Sequence, residues 1–448
     1  MSSDASGAFP DGFLWGAATA AYQVEGAAAL EGRGPCIWDT FTRQPGAIVR
    51  GDTGDVACDQ YHRLEDDLDL LQRMGVRGYR ASISWSRVLP NGRGPINQAG
   101  LDYYDRLVDG CLARGIQPML TLYHWDLPQA LQDEGGWANR ATAEAFAEFA
   151  RIAGAQLGDR VPYWITLNEP WCAAFVGHLM GLHAPGQRDE AAAFRAAHHL
   201  LLAHALAVPA IRSATTGAVG IALNLVSEQP ASERADDQAA ARRLDGTENR
   251  LFLDPIFKGA YPQDVLEYHG RHFEFNWIKP GDVTAMAAPL DFLGVNYYER
   301  HITRFDPDEP YHEASFTYPG SERTAVNIGV NPEGFVDVLT RAARESNGLP
   351  IYVTENGVAA NDYVDPNGEI NDIERQRFFE LHFQAAREAI AKGVNLKGYF
   401  VWSFLDNFEW QMGYSKRYGV VYVDYRTQER IVKRSGRWYQ GVIERNAL

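Results

Sequence analysis

Four cysteines in 448 residues (Cys36, Cys58, Cys111 and Cys172) leave this chain without a C-x-x-C pair. It therefore lacks the spacing of a zinc ribbon and the density of a disulfide-stapled domain, and free thiols in a reducing cytoplasm are expected. Basic charge is also short. Lys and Arg number 42 against 58 Asp and Glu, for a formal net charge of −16 and a pI near 5.2. Nucleic acid and anionic membrane surfaces both ask for basic patches, so neither is an expected partner. The same balance weighs mildly against a strongly anionic substrate, although its main effect is to keep the surface solvated. No run approaches the 18 apolar residues of a spanning helix. The N-terminus, MSSDASGAFPDGF, has no basic region leading into an apolar core, so no signal peptide is expected. Low-complexity linkers and sequence repeats are missing too.

Two metal signals fail on spacing. The acidic stretch 51–62, GDTGDVACDQYH, has Gly54 and Val56 at calcium-ligand positions and Arg63 where the bidentate glutamate belongs, and reads as a solvated loop. His198, His199 and His204 lie in an alanine-rich helical stretch without the i, i+4 spacing that would join two ligands. No metal is expected from either.

What is present is a rhythm. Apolar residues make up 46% of the chain and charged ones 22%, the balance of a globular protein with a sizeable core. Eight short apolar segments read as strands: 13–19, 78–84, 117–123, 163–168, 218–224, 291–297, 350–356 and 397–403. Amphipathic helical stretches lie between them, at 64–74, 101–114, 141–157, 190–212, 333–346 and 372–392. Doubly wound sheets also alternate, but eight strand–helix units in unbroken order favour a closed (β/α)8 TIM barrel. Such barrels exceed the usual ~150 residues per domain, so one domain over 1–448 is expected, with 1–9 as a disordered tail. The surplus length falls in long βα loops at 24–63, 226–290 and 299–332.

Two of these strands end on a glutamate. ITLNEP closes the fourth at Glu169, where Pro170 stops the ladder and restricts the residue before it. IYVTENG closes the seventh at Glu355. In this fold both stand at the C-terminal mouth, where active sites form. Taken singly, such a glutamate is more often a cap or a salt-bridge partner. As a facing pair, one protonated and one ionised, they suit cleavage of an acetal. A separation of roughly 5–5.5 Å implies retention and roughly 6.5–9.5 Å inversion, and sequence spacing does not choose between them. The other strand ends add Gln23, then His124 and Trp125, then Asn296 and Tyr298, then Trp402 with Glu409 and Trp410. Amides, a histidine and a carboxylate bond sugar hydroxyls, and flat indoles cover the apolar ring face.

Together, FLWGAATAAYQVEGA, TLYHWDLPQAL, TLNEP, DFLGVNYY, YVTENG and FLDNFEW resemble glycoside hydrolase family 1, the β-glucosidase family, from about Phe13 to Arg437. NEP alone is a weak signal, but the ordered set is specific. The resemblance implies a retaining double displacement without a cofactor. It matches Glu169 to the acid/base and Glu355 to the nucleophile, with Arg80, Tyr298, Asn168 and Asn296 as their support. Gln23, His124, Trp125, Trp402, Glu409, Trp410 and Tyr418 match substrate-binding positions. Members acting on 6-phosphorylated sugars resemble this chain at Lys416 and Tyr418 but carry a small hydroxyl residue where Glu409 stands. A carboxylate there repels phosphate, so an unphosphorylated sugar is expected.

The chain departs from the family at Ala81, usually Phe, and in VNIGVNPEGF, where Val330 and a shorter loop replace a tryptophan-bearing segment on the leaving-group side. The expected ligand is a small β-glucoside or short oligosaccharide. Galactosides and fucosides can use the same readers, and transglycosylation the same intermediate. A sugar-binding barrel that has lost catalysis is the alternative from another class, and it sits poorly with both carboxylates present. Composition does not distinguish a monomer from a homo-oligomer.

Overall fold

Each apolar segment is a parallel strand in the computed structural model, which describes residues 7–448. These are β1 (Leu14–Ala18), β2 (Gly78–Ser82), β3 (Gln117–Tyr123), β4 (Tyr163–Asn168), β5 (Ala218–Asn224), β6 (Phe292–Asn296), β7 (Ile351–Asn356) and β8 (Leu396–Trp402). They pair in sequence order, and β8 pairs back to β1 to close a (β/α)8 barrel. A helix follows each strand: α1 (Gln60–Arg73), α2 (Gln98–Ala113), α3 (Arg140–Leu157), α4 (Glu190–Arg212), α5 (Leu251–Lys258), α6 (Pro332–Glu345), α7 (Ile373–Ala391) and α8 (Arg434–Arg445). Strands covered on one side by these helices and on the other by the barrel interior are buried on both faces, which is why they read as continuous apolar runs.

Local chemistry sets the helix starts. Asn139, Asp189 and Asn331 accept backbone N–H bonds at the N-termini of α3, α4 and α6, and Pro332 occupies the first turn of α6. Inside the barrel, Leu14, Met119, Ile165, Phe292, Tyr352 and Phe400 form a buried apolar plug. Phe400 fills the space that a side chain at position 16 would need: a Cβ on Gly16 would lie 2.3 Å from its ring.

The long excursions after β5 and β6 meet in a small sheet of Ser227–Pro230, Arg300–Phe305 and Ala314–Thr317. Among the described residues, α4 alone is long and apolar enough, by length and composition, to cross a membrane, and 78% of its apolar window is buried within the fold.

Two expectations are corrected. Residues 1–6 lie outside the described residues, but 7–9 are not a free tail. Phe9 is buried, its N–H donates to Asn446 O at 2.8 Å, and its ring packs on Phe13 and Trp15. The stretch 51–62 is packed rather than solvated. Gly54, Ala57 and Cys58 are buried, and Gln428 and Arg430 donate to the carbonyls of Ala57 and Cys58.

Candidate active site

The barrel loses register where its two glutamates stand. The β4–β5 pairing shifts between Ile165 and Asn168, and β7 shifts against both neighbours after Val353. Such irregularities re-aim side chains at a barrel rim. They turn Asn168, Glu169 and Glu355 into the mouth.

Glu355 is buried between two donors. Arg80, wholly buried on β2, donates from Nη1 to Oε1 at 2.5 Å, and the Tyr298 hydroxyl donates to Oε2 at 2.9 Å. The second arm of the guanidinium bonds Asn168 Oδ1 at 2.5 Å. One cation thus fixes both strand ends. Gly357 completes the TENG turn for a steric reason. A Cβ there would meet Trp402 O at 1.7 Å, so only glycine lets β7 leave the barrel against β8.

Glu169 has a different setting. It is 5% exposed, with backbone φ at +44° in the left-handed region, a strained conformation for a non-glycine residue. Asn296 Nδ2 donates to its Oε1 at 2.7 Å and the Cys172 thiol to its Oε2 at 3.1 Å, but no cation bonds it. Burial, and then the negative charge of Glu355, push its carboxyl up to about 8. One carboxyl therefore holds its proton at neutral pH beside one held by a guanidinium, the division of roles that acid and nucleophile require.

Around them lies a ring of polar and aromatic groups. His124 and Trp402 stack at 5.8 Å between centroids, and Trp125 packs on Trp410 at 4.7 Å. Trp125 and Trp410 share the left-handed backbone of Glu169, with φ of +75° and +46°. His124 Nε2 meets Asn168 Nδ2 at 3.2 Å, which makes that ring nitrogen the acceptor and leaves Nδ1 protonated, buried and unpaired, available to a ligand oxygen. Gln23 lies beneath the ring. Its Nε2 is tied to Asn407 Oδ1 and Phe408 O, and its buried Oε1 is without a partner. The Glu409 carboxyl stands at the wall with no hydrogen bond to another described residue, and burial with the charges of Glu355 and Glu169 pushes it up to about 8.

All the residues expected as catalytic, supporting or substrate-binding converge here. His124, Trp125, Glu169, Tyr298, Glu355, Trp402, Glu409, Trp410 and Tyr418 line one cavity, with Arg80, Asn168, Asn296 and Gln23 behind it. Sequence reasoning missed Cys172, His183, Glu299, Gln411 and Met412. Cys172 follows Glu169 by three residues, a helical spacing that could have disclosed it.

The wall carrying Val326 and Ile328 is a separate piece. Val326 and Ile328, rather than Val330, reach the cavity. They belong to a narrow loop whose ends close on each other through the Arg323–Gly329 bridge and the Val330 N–H to Glu322 O bond. Lys416 anchors this loop by donating to Ala325 O at 2.6 Å.

A parallel (β/α)8 barrel with an asymmetric carboxyl pair at its C-terminal rim, ringed by indoles and unpaired polar atoms, has the constitution of a glycoside hydrolase. The comparisons give the particular group. The chain belongs to glycosyl hydrolase family 1, whose family model matches residues 5–448. It is 50% identical over 442 residues to β-glucosidase A of Thermotoga maritima, covering 98% of each chain. It is 48% identical over 442 residues to a 1,4-β-D-glucan glucohydrolase of Thermotoga neapolitana, covering 98% of this chain and 99% of that one. The solved structure of a β-glucosidase from Thermotoga maritima in complex with deoxynojirimycin superposes with a TM-score of 0.95 at 49% identity, covering 99% and 100% of the two chains.

Proposed function

We propose that this enzyme is a retaining β-glucosidase that removes terminal non-reducing β-D-glucosyl residues from small β-glucosides and short β-glucan oligosaccharides in the cytoplasm, the whole chain acting as one domain. The contrast between the two glutamates carries the reading: Glu355 clamped by Arg80 and Tyr298, Glu169 protonated by burial and by its neighbour's charge. Glu355 attacks the anomeric carbon as the Glu169 proton passes to the departing oxygen, which leaves as an alcohol. The product is a glycosyl ester on Glu355 and an ionised Glu169. Water then gives a proton back to Glu169 as its oxygen attacks the same carbon, and the Glu355 ester bond breaks. Two inversions restore the starting configuration.

Asn168 binds the sugar 2-hydroxyl, where a hydrogen bond strengthens as the transition state forms. Gln23 Oε1, His124 Nδ1 and Glu409 take the remaining hydroxyls, Trp402 is the platform beneath the ring, and Trp125, Trp410 and Tyr418 complete the walls. Galactosides and fucosides engage most of the same groups and are secondary substrates, and an alcohol in place of water gives transglycosylation. A 6-phosphorylated sugar is disfavoured, because Glu409, protonated or ionised, offers the phosphate no positive charge and Lys416 is committed to Ala325 O.

The test is Glu355→Ala. Hydrolysis is expected to fall by roughly 10⁴-fold or more, since a covalent nucleophile is lost. Azide should restore cleavage and yield the inverted glycosyl azide. Absence of both rescue and inverted product would remove Glu355 as the nucleophile.

A further inference from the structure

A second group of ionisable side chains is buried outside the sugar cavity, where the excursions after β5 and β6 meet. His301, 1% exposed, has carboxylates on both edges of its ring. Its Nδ1 bonds Glu228 Oε1 and lies 3.6 Å from Glu248 Oε2, while its Nε2 lies 3.5 Å from Glu299 Oε1. Thr303 Oγ1 donates to Glu228 Oε2 at 2.6 Å, and the Phe316 ring stacks on the imidazole at 3.7 Å. Among the described residues, no Lys or Arg pairs with any of the three carboxylates, so one imidazole faces three acids. Glu248 is 8% exposed, and its Oε2, aimed at His301, has no hydrogen-bond partner. An unpaired buried carboxylate oxygen is costly, and proteins that keep one generally give it a counter-ion or a metal.

We propose that Glu228, Glu248 and His301 bind a divalent transition-metal ion of the Zn²⁺ class, with Glu299 holding the histidine from behind. The three donor atoms lie within 4.8 Å of one another, and side-chain rotation closes that spacing onto bonds of about 2.0–2.2 Å. The ion replaces the proton on His301 Nδ1 and neutralises two acids at once. It also gives Glu248 Oε2 the partner it lacks. The remaining parts are those a metal site needs. A ligating imidazole donates its other N–H to a carboxylate; Glu299 Oε1 stands 3.5 Å from the unpaired His301 Nε2, in position to accept it, and ligating carboxylates are themselves hydrogen-bonded, as Glu228 is by Thr303. Two oxygens and one nitrogen leave a fourth position for water. Glu299 also lines the sugar cavity next to Tyr298, so the ion braces the leaving-group side from outside. The other convergent group, Glu190 with His269 and His272, differs in that both imidazoles already bond Glu190, and it serves as a control.

Enzyme stripped with a chelator is titrated calorimetrically with ZnCl₂, and retained zinc is counted by elemental analysis after gel filtration. Wild type and His272→Ala are expected to retain one ion per chain, and Glu248→Gln to lose it. Glu299→Gln should bind about 10–100-fold more weakly. No uptake by wild type, retention by Glu248→Gln, or loss in His272→Ala would each overturn the proposal. If Glu248→Gln does not fold, Co²⁺-loaded wild type decides. Intense visible bands of low-coordinate cobalt support the site, and a hexaaqua-like spectrum removes it.

Discussion

Below its midline the barrel packs around Met119, Phe292 and Phe400, and its ladder slips only between β7 and β8, at Ile351 and Tyr352. Above it the pairings of β4 and β7 slip, and three residues with large side chains take left-handed backbone. The lower half is satisfied mainly by packing, with one hydroxyl pair, Tyr352 to Tyr163. The upper half buries a guanidinium, paired carboxyls and amides that nothing apolar can satisfy, and it leaves Gln23 Oε1 and His124 Nδ1 without partners. The difference shows where stability is kept and where it is given up. A close-packed plug holds the strands so rigidly that their far ends can carry strain and unmatched polarity.

The sharpest way to break this contrast is at Arg80, which belongs to both halves as a strand residue with its charge at the mouth. Arg80→Met should lower kcat by roughly 10²–10³-fold by removing the charge that orients Glu355. It should also cost about 3–5 kcal/mol of stability, because a buried partner is left uncompensated. A variant with normal kcat at a lowered Tm would reduce Arg80 to a structural role. Phe400→Ala probes the plug alone, with an expected loss of about 3–5 kcal/mol in denaturant unfolding and kcat/KM within a few-fold of wild type when measured well below its Tm. Collapse of kcat/KM in folded protein would deny that the two halves are separable.

Smaller effects test the electrostatics. Glu169 acts while protonated, so kcat/KM should decline as pH rises through about 8. A flat alkaline profile to pH 9 would mean that another group gives the proton. Cys172 donates to the ionised form of Glu169 and holds its carboxyl down. Cys172→Ala should therefore move the alkaline limb to higher pH with little change in the plateau. A shift to lower pH would reverse the sign of that contact.

Legibility followed the physics of each part. The eight strands were readable because two-sided burial demands uninterrupted apolar runs, and their observed ends fall within two residues of the expected ones. Glu169 and Glu355 were readable because a carboxyl has no reason to end such a run unless it faces a mouth. The Arg80 clamp was implied by family resemblance, since nothing in YRASISW announces a reach to β7. Val326 and Ile328 escaped because loop tips are placed by long-range contacts such as that of Lys416. The Glu228–Glu248–His301 group escaped for the same reason: its members come from separate excursions and share no motif. Phe9 was misjudged with the polar residues before it, although its aromatic ring had Phe13 and Trp15 to pack on.

The loop carrying Val326 and Ile328 is pinched shut at its base and tied further at Ala325, whose carbonyl accepts from Lys416 and whose N–H donates to Ala359 O. Such a loop is a cassette. Its tip can be lengthened, given an indole or emptied while the bonds at its base hold β6 and β7 where they are. Choice of leaving group can then vary independently of choice of sugar, and a small library confined to 324–328 would explore aglycones on an unchanged catalytic pair.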